Sequence, residues 1–364
     1  MITRVTDQDA IASFVIDASN SKGKADSVYL PHTIDEVSEV VRLVHDAGRT
    51  LHIAGNGTGL VGGRVPQQGD VISLQRMQAY SLDASSRRGC VQSGLSMREW
   101  QAIVSAEQML YPPDPTEWSA AMGGTFATNA SGARTFRYGP TRRFVRGLRV
   151  VLANGDQLQL TRGEVPAQDG YLRLATTSGS EYRVPVPSYA MPATRKHAAG
   201  YYAAPAMDAI DLFIGSEGTL GIIVEADVDV IAQPERVLGM VVFFHDTESL
   251  LTAVDEVRSG NKRYDPAEIR DPSFLQPRLV EFFDEHALRM IRPSYPSIPT
   301  SATCALWMEQ EYDTKDEDGV IEAWDVFLRR HTAMADETWF ALDERRHAEL
   351  RAFRHALPSA IYEK

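Results

Sequence analysis

A glycine-dense segment, AGNGTGLVGG at residues 54–63, constrains the fold of this chain more than any other feature. Its five glycines follow a short apolar run, and glycine reaches positive φ at little cost and lets other groups approach the backbone. The N–H groups that such a loop exposes can converge on phosphate oxygens. The segment therefore predicts a phosphate-binding loop, with an ordinary flexible loop as the alternative.

A dinucleotide-binding fold of the Rossmann type is a competing interpretation, because Gly57, Gly59 and Gly62 match the spacing G-x-G-x-x-G. In that fold the glycines open an amphipathic helix whose N-terminus holds a pyrophosphate. Here Gly63, Pro66 and a strand-like run follow instead. The context therefore argues against a Rossmann fold.

A second segment, YPPDPTEWSAAMGGTFATNASGARTFRYG at residues 111–139, is rich in Pro, Gly, Ala and Ser. Its prolines fix φ and stiffen the chain, while Gly123 and Gly124 let the backbone approach a flat ligand. A linker is the alternative, but a linker would not be expected to place Trp118, Met122 and Phe126 among these glycines. We therefore expect this segment to lie close to a bound group.

A third segment, IGSEGTLGII at residues 214–223, lies within a strand-like run. Glycine at three places weakens a sheet unless a ligand or another backbone must come close. The segment therefore predicts a loop and strand that lie along a ligand, or alternatively an ordinary strand with a bulge.

Helix and strand signals alternate along the chain. Capping boxes that begin at Thr33 and Ser96 predict helices, and Asn154-Gly155 predicts a β-hairpin. Further strand-like runs are expected at 51–54, 70–74, 90–93, 146–152, 157–160, 211–230, 239–244 and 304–309, and further helices at 248–257, 279–290 and 317–331. The pattern predicts an α+β chain with a first domain at 1–236, divided into subdomains at about 1–76 and 77–236, and a second domain at 237–364.

Composition limits the classes of function. There are 37 Lys plus Arg against 49 Asp plus Glu, a net charge of -12, so we expect no nucleic-acid partner. Two cysteines, Cys90 and Cys304, are too few for a disulfide framework or a zinc or iron–sulfur site, and we expect no metal. The N-terminal residues lack a basic leader, and no apolar run reaches the roughly 20 residues that span a bilayer. We expect a cytoplasmic protein, with peripheral association at the inner face of the membrane left open.

Taken in order, the three glycine-bearing segments resemble the FAD-linked oxidases of the vanillyl-alcohol oxidase type. They are most similar to the branch that contains D-lactate dehydrogenase, the glycolate oxidase FAD subunit and D-2-hydroxyglutarate dehydrogenase. The resemblance covers about residues 28–235 closely and the remainder loosely. It implies a two-subdomain FAD-binding domain of that type, followed by an incomplete α+β cap domain that is ferredoxin-like.

The resemblance also implies which residues hold FAD. The first segment would wrap the pyrophosphate, the second would run past the pyrophosphate and the flavin ring, and the strand of the third would lie near the adenine half. The implied cofactor-binding residues are Gly55, Asn56, Gly57, Thr58, Gly59, Leu60, Gly63, Pro113, Asp114, Pro115, Thr116, Gly123, Gly124, Thr128, Asn129, Ser131, Gly132, Glu217, Gly218, Gly221, Ile222 and Ile223.

We expect the FAD to be non-covalent. Some relatives link FAD through a His in the first segment, whereas residues 54–63 contain neither His nor Cys. The cofactor should therefore dissociate from the denatured protein.

The resemblance implies an FAD-linked 2-hydroxy-acid dehydrogenase or oxidase. It would transfer a hydride from a small substrate of the D-lactate or glycolate type to flavin N5, and pass electrons to a non-NAD acceptor such as a quinone, a cytochrome or a redox partner protein. A 2-hydroxy acid requires a cation for its carboxylate and a base for its hydroxyl proton.

Three side chains are candidates for these catalytic roles. Arg354 matches the family's carboxylate-binding Arg, in a helix resembling LRAFRHALP at 350–358, with a solvated helix face as the alternative. His197 lies in RKHAAGY at 195–201, where the family has Asn, and it is a candidate base together with His355. The alternative for each His is an ordinary surface or hydrogen-bonded residue.

Relatives carry, farther along, a His-rich segment and a Glu-His pair that hold a divalent metal or act as base, whereas this sequence ends at Lys364. We therefore keep three interpretations: a fragment, a truncated family member, or a subunit whose partner completes the site. The functional alternatives are an FAD-binding subunit of a larger redox complex without a complete catalytic site, and a flavin oxidase for a sugar or alcohol. A homodimer or a complex subunit is expected.

Overall fold

The computed structural model describes residues 2–194, 196–260 and 275–362. The chain separates into two units, one formed by Met1–Gly132 with Gly139–Ala232 and the other by Ala133–Tyr138 with Gln233–Lys364. A short stretch that lies within the sequence of the first unit thus belongs to the second. The domain boundaries expected from the sequence stay a prediction.

The first unit begins with a four-stranded sheet. Its elements are β1 (Thr3–Val5), α1 (Gln8–Ile11), β2 (Ser27–Leu30), α2 (Ile34–Asp46), β3 (Leu51–Ala54) and β4 (Asp70–Ser73). The strand order is β1-β2-β4-β3, with β2 and β3 parallel to β4 and β1 antiparallel to β2. The carboxyl end of β3 leads directly into the first glycine segment.

The chain continues through a longer series of strands. The elements are β5 (Tyr80–Asp83), β6 (Arg88–Gln92), α3 (Met97–Ala106), β7 (Met109–Leu110), α4 (Met122–Ala127), α5 (Thr135–Tyr138, in the second unit), β8 (Val145–Val151), β9 (Gln157–Thr161), β10 (Tyr171–Ala175), β11 (Glu181–Pro185), α6 (Ala209–Phe213), β12 (Ile222–Asp229) and β13 (Ile231–Ala232). Five of these strands form an antiparallel sheet in the order β5-β6-β12-β8-β9. The hairpin predicted at Asn154-Gly155 joins β8 to β9 and is confirmed, with Gly155 at φ +82°.

Helix α2 packs between the two large sheets of the first unit. Thr33 Oγ1 accepts a hydrogen bond from the Glu36 N–H at 3.2 Å, as the capping signal predicts. The Glu36 carboxylate accepts from the His32 N–H at 2.7 Å, one residue before the position that a capping box uses. A buried valine stripe on the helix packs with residues of β4, β8 and β12; it comprises Val37, Val40, Val41 and Val44.

Two predictions of local structure in the first unit are wrong. The run 211–230 is not strand-like throughout, because α6 occupies its start and β12 begins only at Ile222. Asp208 begins α6, with its Oδ1 accepting from the Ile210 N–H at 3.1 Å. Helix α4 lies within 111–139, where no helix is predicted, because Gly123 and Gly124 weaken the helical signal.

The second unit is built on one sheet with helices between its strands. Its further elements are β14 (Arg236–Phe244), α7 (Thr247–Gly260), β15 (Pro277–Phe283), α8 (Glu285–Ile291), β16 (Cys304–Tyr312), α9 (Glu317–His331), β17 (Trp339–Ala341) and α10 (Glu344–Tyr362). The strands are antiparallel in the order β15-β16-β14-β17. This order is that of a ferredoxin-like domain, with α8 added, and it confirms the predicted fold class.

The helix predicted at 279–290 is wrong in its first half. Strand β15 occupies Pro277–Phe283, whose branched and aromatic side chains favour a strand. Helix α8 begins only after Asp284, which accepts from the Ala287 N–H at 2.7 Å. Within the described parts of the chain, no helix combines the length and apolar character that a membrane crossing requires.

Candidate cofactor site

The first glycine segment leaves β3 at the buried residue Ala54 and forms an irregular loop. Gly57 and Gly62 have φ of +74° and +73°, a conformation that favours glycine. The Arg64 side chain supports the loop, because its Nη1 donates to the Gly55 carbonyl oxygen at 2.7 Å. A Cβ on Gly57 would lie 2.6 Å from the same Nη1. The loop therefore depends on glycine both for its backbone angles and for the space that Arg64 occupies.

Arg64 is itself partly buried, and this burial lowers the pKa of its guanidinium, while the charge of Asp17 raises it. The Asp17 side chain is 8% exposed. Its Oδ2 is buried and has no hydrogen-bond partner among the described residues. A Cβ on Gly59 would lie 3.9 Å from that oxygen, so a buried carboxylate lies next to the loop.

The structure brings the first segment against the other two. The Asn56 Nδ2 donates to the Ser119 carbonyl oxygen of the second segment at 2.7 Å. A Cβ on Gly63 would lie 3.6 Å from Glu217 Oε2 of the third segment. Residues far apart in sequence are thus neighbours at one place in the first unit.

The second segment folds back on itself. A Cβ on Gly132 would lie 1.5 Å from the Asp114 carbonyl oxygen, so only glycine fits where the two ends meet. The Trp118 Nε1 donates to Asp114 Oδ1 at 2.9 Å. The Pro113 carbonyl oxygen accepts from Gln101 Nε2 at 3.2 Å. These contacts make residues 113–132 of the segment an ordered part of the first unit rather than a linker.

Adjacent glycines in α4 have different surroundings. A Cβ on Gly123 would lie 2.5 Å from the Ser93 Cβ, so Gly123 permits close packing of the helix on the chain after β6. A Cβ on Gly124 would have no atom within 4 Å. Gly124 therefore presents bare backbone to open space, as a surface that receives a flat ring requires.

The end of α4 is joined to the third segment by backbone hydrogen bonds. The Gly215 and Glu217 N–H groups donate to the carbonyl oxygens of Phe126 and Ala127, at 3.1 and 2.9 Å. Asn129 and Glu217 have φ of +46° and +52°, a conformation that is uncommon for residues other than glycine. Both lie among the residues predicted to hold FAD, and such backbone conformations concentrate at functional sites.

The third segment is a turn followed by the start of β12. A Cβ on Gly218, at φ +77°, would lie 2.8 Å from Ile53 Cδ1 in β3. Ile222 and Ile223 are 5% and 6% exposed, so they would reach a ligand only through their backbone. Gly221 directly precedes this strand at φ +158°, and a Cβ there would lie 2.7 Å from Val150 Cγ1. The sequence does not single out Ser216, yet its Oγ is buried and has no partner among the described residues.

Several predicted polar contacts are already used within the protein. The Thr128 hydroxyl donates to the Gly124 carbonyl oxygen at 2.8 Å. Asn129 is 4% exposed, and its Oδ1 accepts from the Arg142 N–H at 2.9 Å. The remaining predicted residues range from half-buried to exposed: Thr58, Leu60, Pro115, Thr116 and Ser131.

The segment 195–201 adjoins the third segment, although Arg195 lies outside the described residues. The Tyr201 hydroxyl lies 2.8 Å from Thr219 Oγ1. The His197 ring is half-buried and is stacked on the Tyr202 ring, with centroids 6.4 Å apart. The predicted base candidate His197 therefore lies in a segment that contacts the third segment.

The predicted carboxylate clamp, Arg354, lies in the second unit and already has a partner. Its Nε lies 2.8 Å from Glu281 Oε2, and the two side chains are each 21% exposed. His355 is exposed on the same helix. Across the residues the structure describes, no group of three or more His, Cys, Asp or Glu side chains is arranged to hold a metal ion.

Comparison with known proteins finds sequences that are similar to this chain. Residues 25–161 match the family model described as "FAD binding domain". The chain is 28% identical over 351 residues to the glycolate oxidase subunit GlcD of Bacillus subtilis (strain 168), covering 93% of this chain and 64% of that protein. It is 33% identical over 224 residues to a D-lactate dehydrogenase of Anaerostipes hadrus, covering 61% of this chain and 40% of that protein.

Solved structures show the same fold. An alkyldihydroxyacetonephosphate synthase superposes with a TM-score of 0.68 at 19% identity, covering 97% of this chain and 60% of that chain. The chain spans less than two thirds of the length of the curated relatives described above.

Proposed function

We propose that this chain, which carries an FAD-binding domain of the vanillyl-alcohol oxidase type and has FAD as its cofactor, is a 2-hydroxy-acid dehydrogenase or oxidase. Its substrate would be a small acid of the D-lactate or glycolate type, and its electron acceptor would not be NAD. Relatives named glycolate oxidase subunit and D-lactate dehydrogenase support this substrate class.

The observation that carries the proposal is the convergence of three glycine-bearing segments in one unit. Asn56 contacts Ser119, and the N–H groups of Gly215 and Glu217 bond to the end of α4. Gly124 of the second segment faces open space, and the Ser216 hydroxyl of the third segment has no hydrogen-bond partner among the described residues. These features fit an extended dinucleotide that needs contacts to its central pyrophosphate and room for a flat ring at one end.

Bound FAD supplies a hydride acceptor at N5. The protein would supply the orientation of the substrate, a cation for its carboxylate and a base for its hydroxyl proton. We assign the carboxylate-binding role to Arg354 and the role of base to His197. Arg354 would need to exchange its Glu281 partner for the substrate, because one guanidinium fork binds one carboxylate in the bidentate manner.

The FAD is proposed to be held without a covalent bond, because the loop 54–63 offers neither His nor Cys. The proposed acceptor is a quinone, a cytochrome or a redox partner protein. A cytoplasmic location, peripheral association with the membrane and a homodimer stay predictions.

Anaerobic mixing of the FAD-loaded protein with a panel of substrates tests the function. We expect D-lactate, glycolate or D-2-hydroxyglutarate to bleach the visible flavin absorbance, and sugars and simple alcohols to leave it unchanged. Bleaching by a sugar or alcohol alone would instead support a flavin oxidase of different specificity.

A second candidate is an FAD-binding subunit of a larger redox complex. The ion pair between Arg354 and Glu281 favours this second candidate, because Glu281 already binds the guanidinium that is proposed to bind the substrate. This candidate predicts tight FAD binding but no bleaching by any hydroxy acid.

A further inference from the structure

Arg142 lies where the second and third segments meet, outside all the residues that the sequence comparison with the family implies. Its backbone N–H donates to Asn129 Oδ1 at 2.9 Å, at the end of the second segment. Its guanidinium donates through Nη2 to the Ile214 carbonyl oxygen, the first residue of the third segment. One residue therefore bonds to both segments, through its backbone and through its side chain.

The Arg142 guanidinium also contacts Asp211 and Tyr202, while its buried Nε has no hydrogen-bond partner among the described residues. Its Nη1 donates to the backbone carbonyl oxygen of Asp211 and, at 3.1 Å, to Asp211 Oδ1. The Tyr202 ring covers one face of the guanidinium, with the ring centroid 4.4 Å from the Arg142 Cζ. The Arg142 side chain is 13% exposed and that of Asp211 is 10% exposed. The planar guanidinium of arginine is better suited than the ammonium group of lysine to make several directed hydrogen bonds and to stack on an aromatic ring.

A second arginine fixes this arrangement. Arg162 donates through Nη1 and Nη2 to Asp211 Oδ1, both at 3.1 Å, and through Nη2 to the Arg142 carbonyl oxygen at 3.1 Å. The Asp211 carboxylate is therefore shared by two guanidinium groups. Buried networks of this kind resist displacement because removing one member leaves the others without partners.

The position of Ile214 controls the amide groups that follow it. Gly215 comes next, at φ +86°, and its N–H bonds to Phe126 in α4. Glu217, at φ +52°, bonds to Ala127 in the same helix. A Cβ on Gly215 would lie 3.4 Å from the Asn129 Cβ and 3.5 Å from the Arg142 Nη2, so the packing here is tight. Movement of the Ile214 carbonyl would therefore shift the turn that forms the third segment.

We propose that Arg142 is a positioning residue for FAD, which holds the second and third segments in the one relative arrangement that binds the cofactor. Arg142 acts through Ile214 and Asn129 rather than by touching the reacting atoms. This inference rests on the FAD site described above. The proposal gives Arg142 a role in the affinity for FAD, although Arg142 is not among the residues implied to contact the cofactor.

The test compares FAD binding by the full chain and by the variants Arg142→Met and Arg142→Lys, each first freed of flavin. Flavin fluorescence gives the Kd, far-ultraviolet circular dichroism monitors the fold, and thermal unfolding is measured with and without FAD. Loss of several hydrogen bonds to a charged group should weaken FAD binding about tenfold to a hundredfold in Arg142→Met. Arg142→Lys should bind FAD more tightly than Arg142→Met, because lysine keeps the positive charge but lacks the planar guanidinium.

Arg146→Met is the matched control, because the Arg146 guanidinium pairs with Asp229 in the same unit, and Asp229 lies outside the three segments. It should bind FAD as the unchanged chain does. If Arg142→Met keeps a native circular dichroism spectrum and the Kd of the unchanged chain, the positioning role is refuted. The positioning role is also refuted if the Tm of Arg142→Met without FAD falls while the Kd of its folded fraction for FAD is unchanged. Failure of the unchanged chain to bind FAD would instead refute the cofactor site itself.

Discussion

The Arg354 guanidinium forms an ion pair with Glu281, with Nε 2.8 Å from one carboxylate oxygen and Nη2 3.4 Å from the other. If Arg354 binds the substrate carboxylate, Glu281 competes with the substrate for it. We therefore expect Arg354→Met to lower kcat/KM for a hydroxy acid about tenfold to a hundredfold, while Glu281→Gln lowers KM or leaves it unchanged. Steady-state kinetics of both variants provide the measurement. Equal and small effects in the two variants would identify the pair as structural only.

The Tyr138 hydroxyl lies 2.5 and 2.6 Å from the two carboxylate oxygens of Glu311, inside the second unit. Both side chains are buried, so Tyr138→Phe removes a donor that water cannot replace. We expect the free energy of unfolding to fall by about 1.5–3 kcal/mol, the range for hydrogen bonds to charged groups. Urea denaturation measures the change. Tyr80→Phe is the control, because Tyr80 is 53% exposed and should tolerate the change; equal stability of Tyr138→Phe and the unchanged chain would contradict the assignment.

Glu309 should make the stability of the second unit depend on pH. Burial opposes its ionisation, but the charges of Arg278 and His347 bring its pKa from an ordinary 4.5 down to about 2. A depressed folded-state pKa contributes stability that is present above the unfolded-state value and is lost as the pH falls through the folded-state value. The free energy of unfolding should therefore decline as the pH falls from about 4.5 towards 2.

Urea denaturation over that pH range, on the unchanged chain and on Glu309→Gln, checks this expectation. The variant should be less stable near neutral pH, because Arg278 loses one of its two carboxylate partners. It should also show a shallower acid decline. An identical slope in both proteins would rule out Glu309 as a source of the pH dependence.

Gly124 and Gly123 allow a paired test of where the cofactor lies. Gly124→Ala adds a methyl group to open space on a helix, so it should stabilise the protein without FAD by up to about 1 kcal/mol. If the flavin lies against that face, the same methyl group should weaken FAD binding. Gly123→Ala should instead destabilise the protein itself, because its Cβ would meet Ser93. Undiminished FAD affinity in Gly124→Ala would show that the ring lies elsewhere.

The helices and strands that are determined by residues close together in the sequence could be predicted. Helix α2 follows from its capping residue and its valine stripe, and α9 was expected at the residues where it occurs. The sequence does not decide the first half of 279–290, because a short apolar run suits a strand or a helix. Pairing with β16 makes it a strand. Helix α4 was missed because tertiary packing of Gly123 on Ser93 overrides a weak local propensity.

The three glycine segments were recognisable because glycine records a backbone requirement directly in the sequence. The contacts that join them were not, because they connect residues far apart in the chain. The pairs Asn56 with Ser119 and Arg142 with Ile214 have no local signal. The pairing of Arg354 with Glu281 could not be predicted either, because Glu281 lies 73 residues away in the sequence.

Titration of the flavin-free chain with FAD, followed by quenching of flavin fluorescence, tests the central claim most directly. The account predicts saturable binding of one FAD per chain, with the cofactor released into the supernatant when the protein is precipitated with acid. A chain with a native circular dichroism spectrum that leaves flavin fluorescence unchanged at every concentration would contradict it.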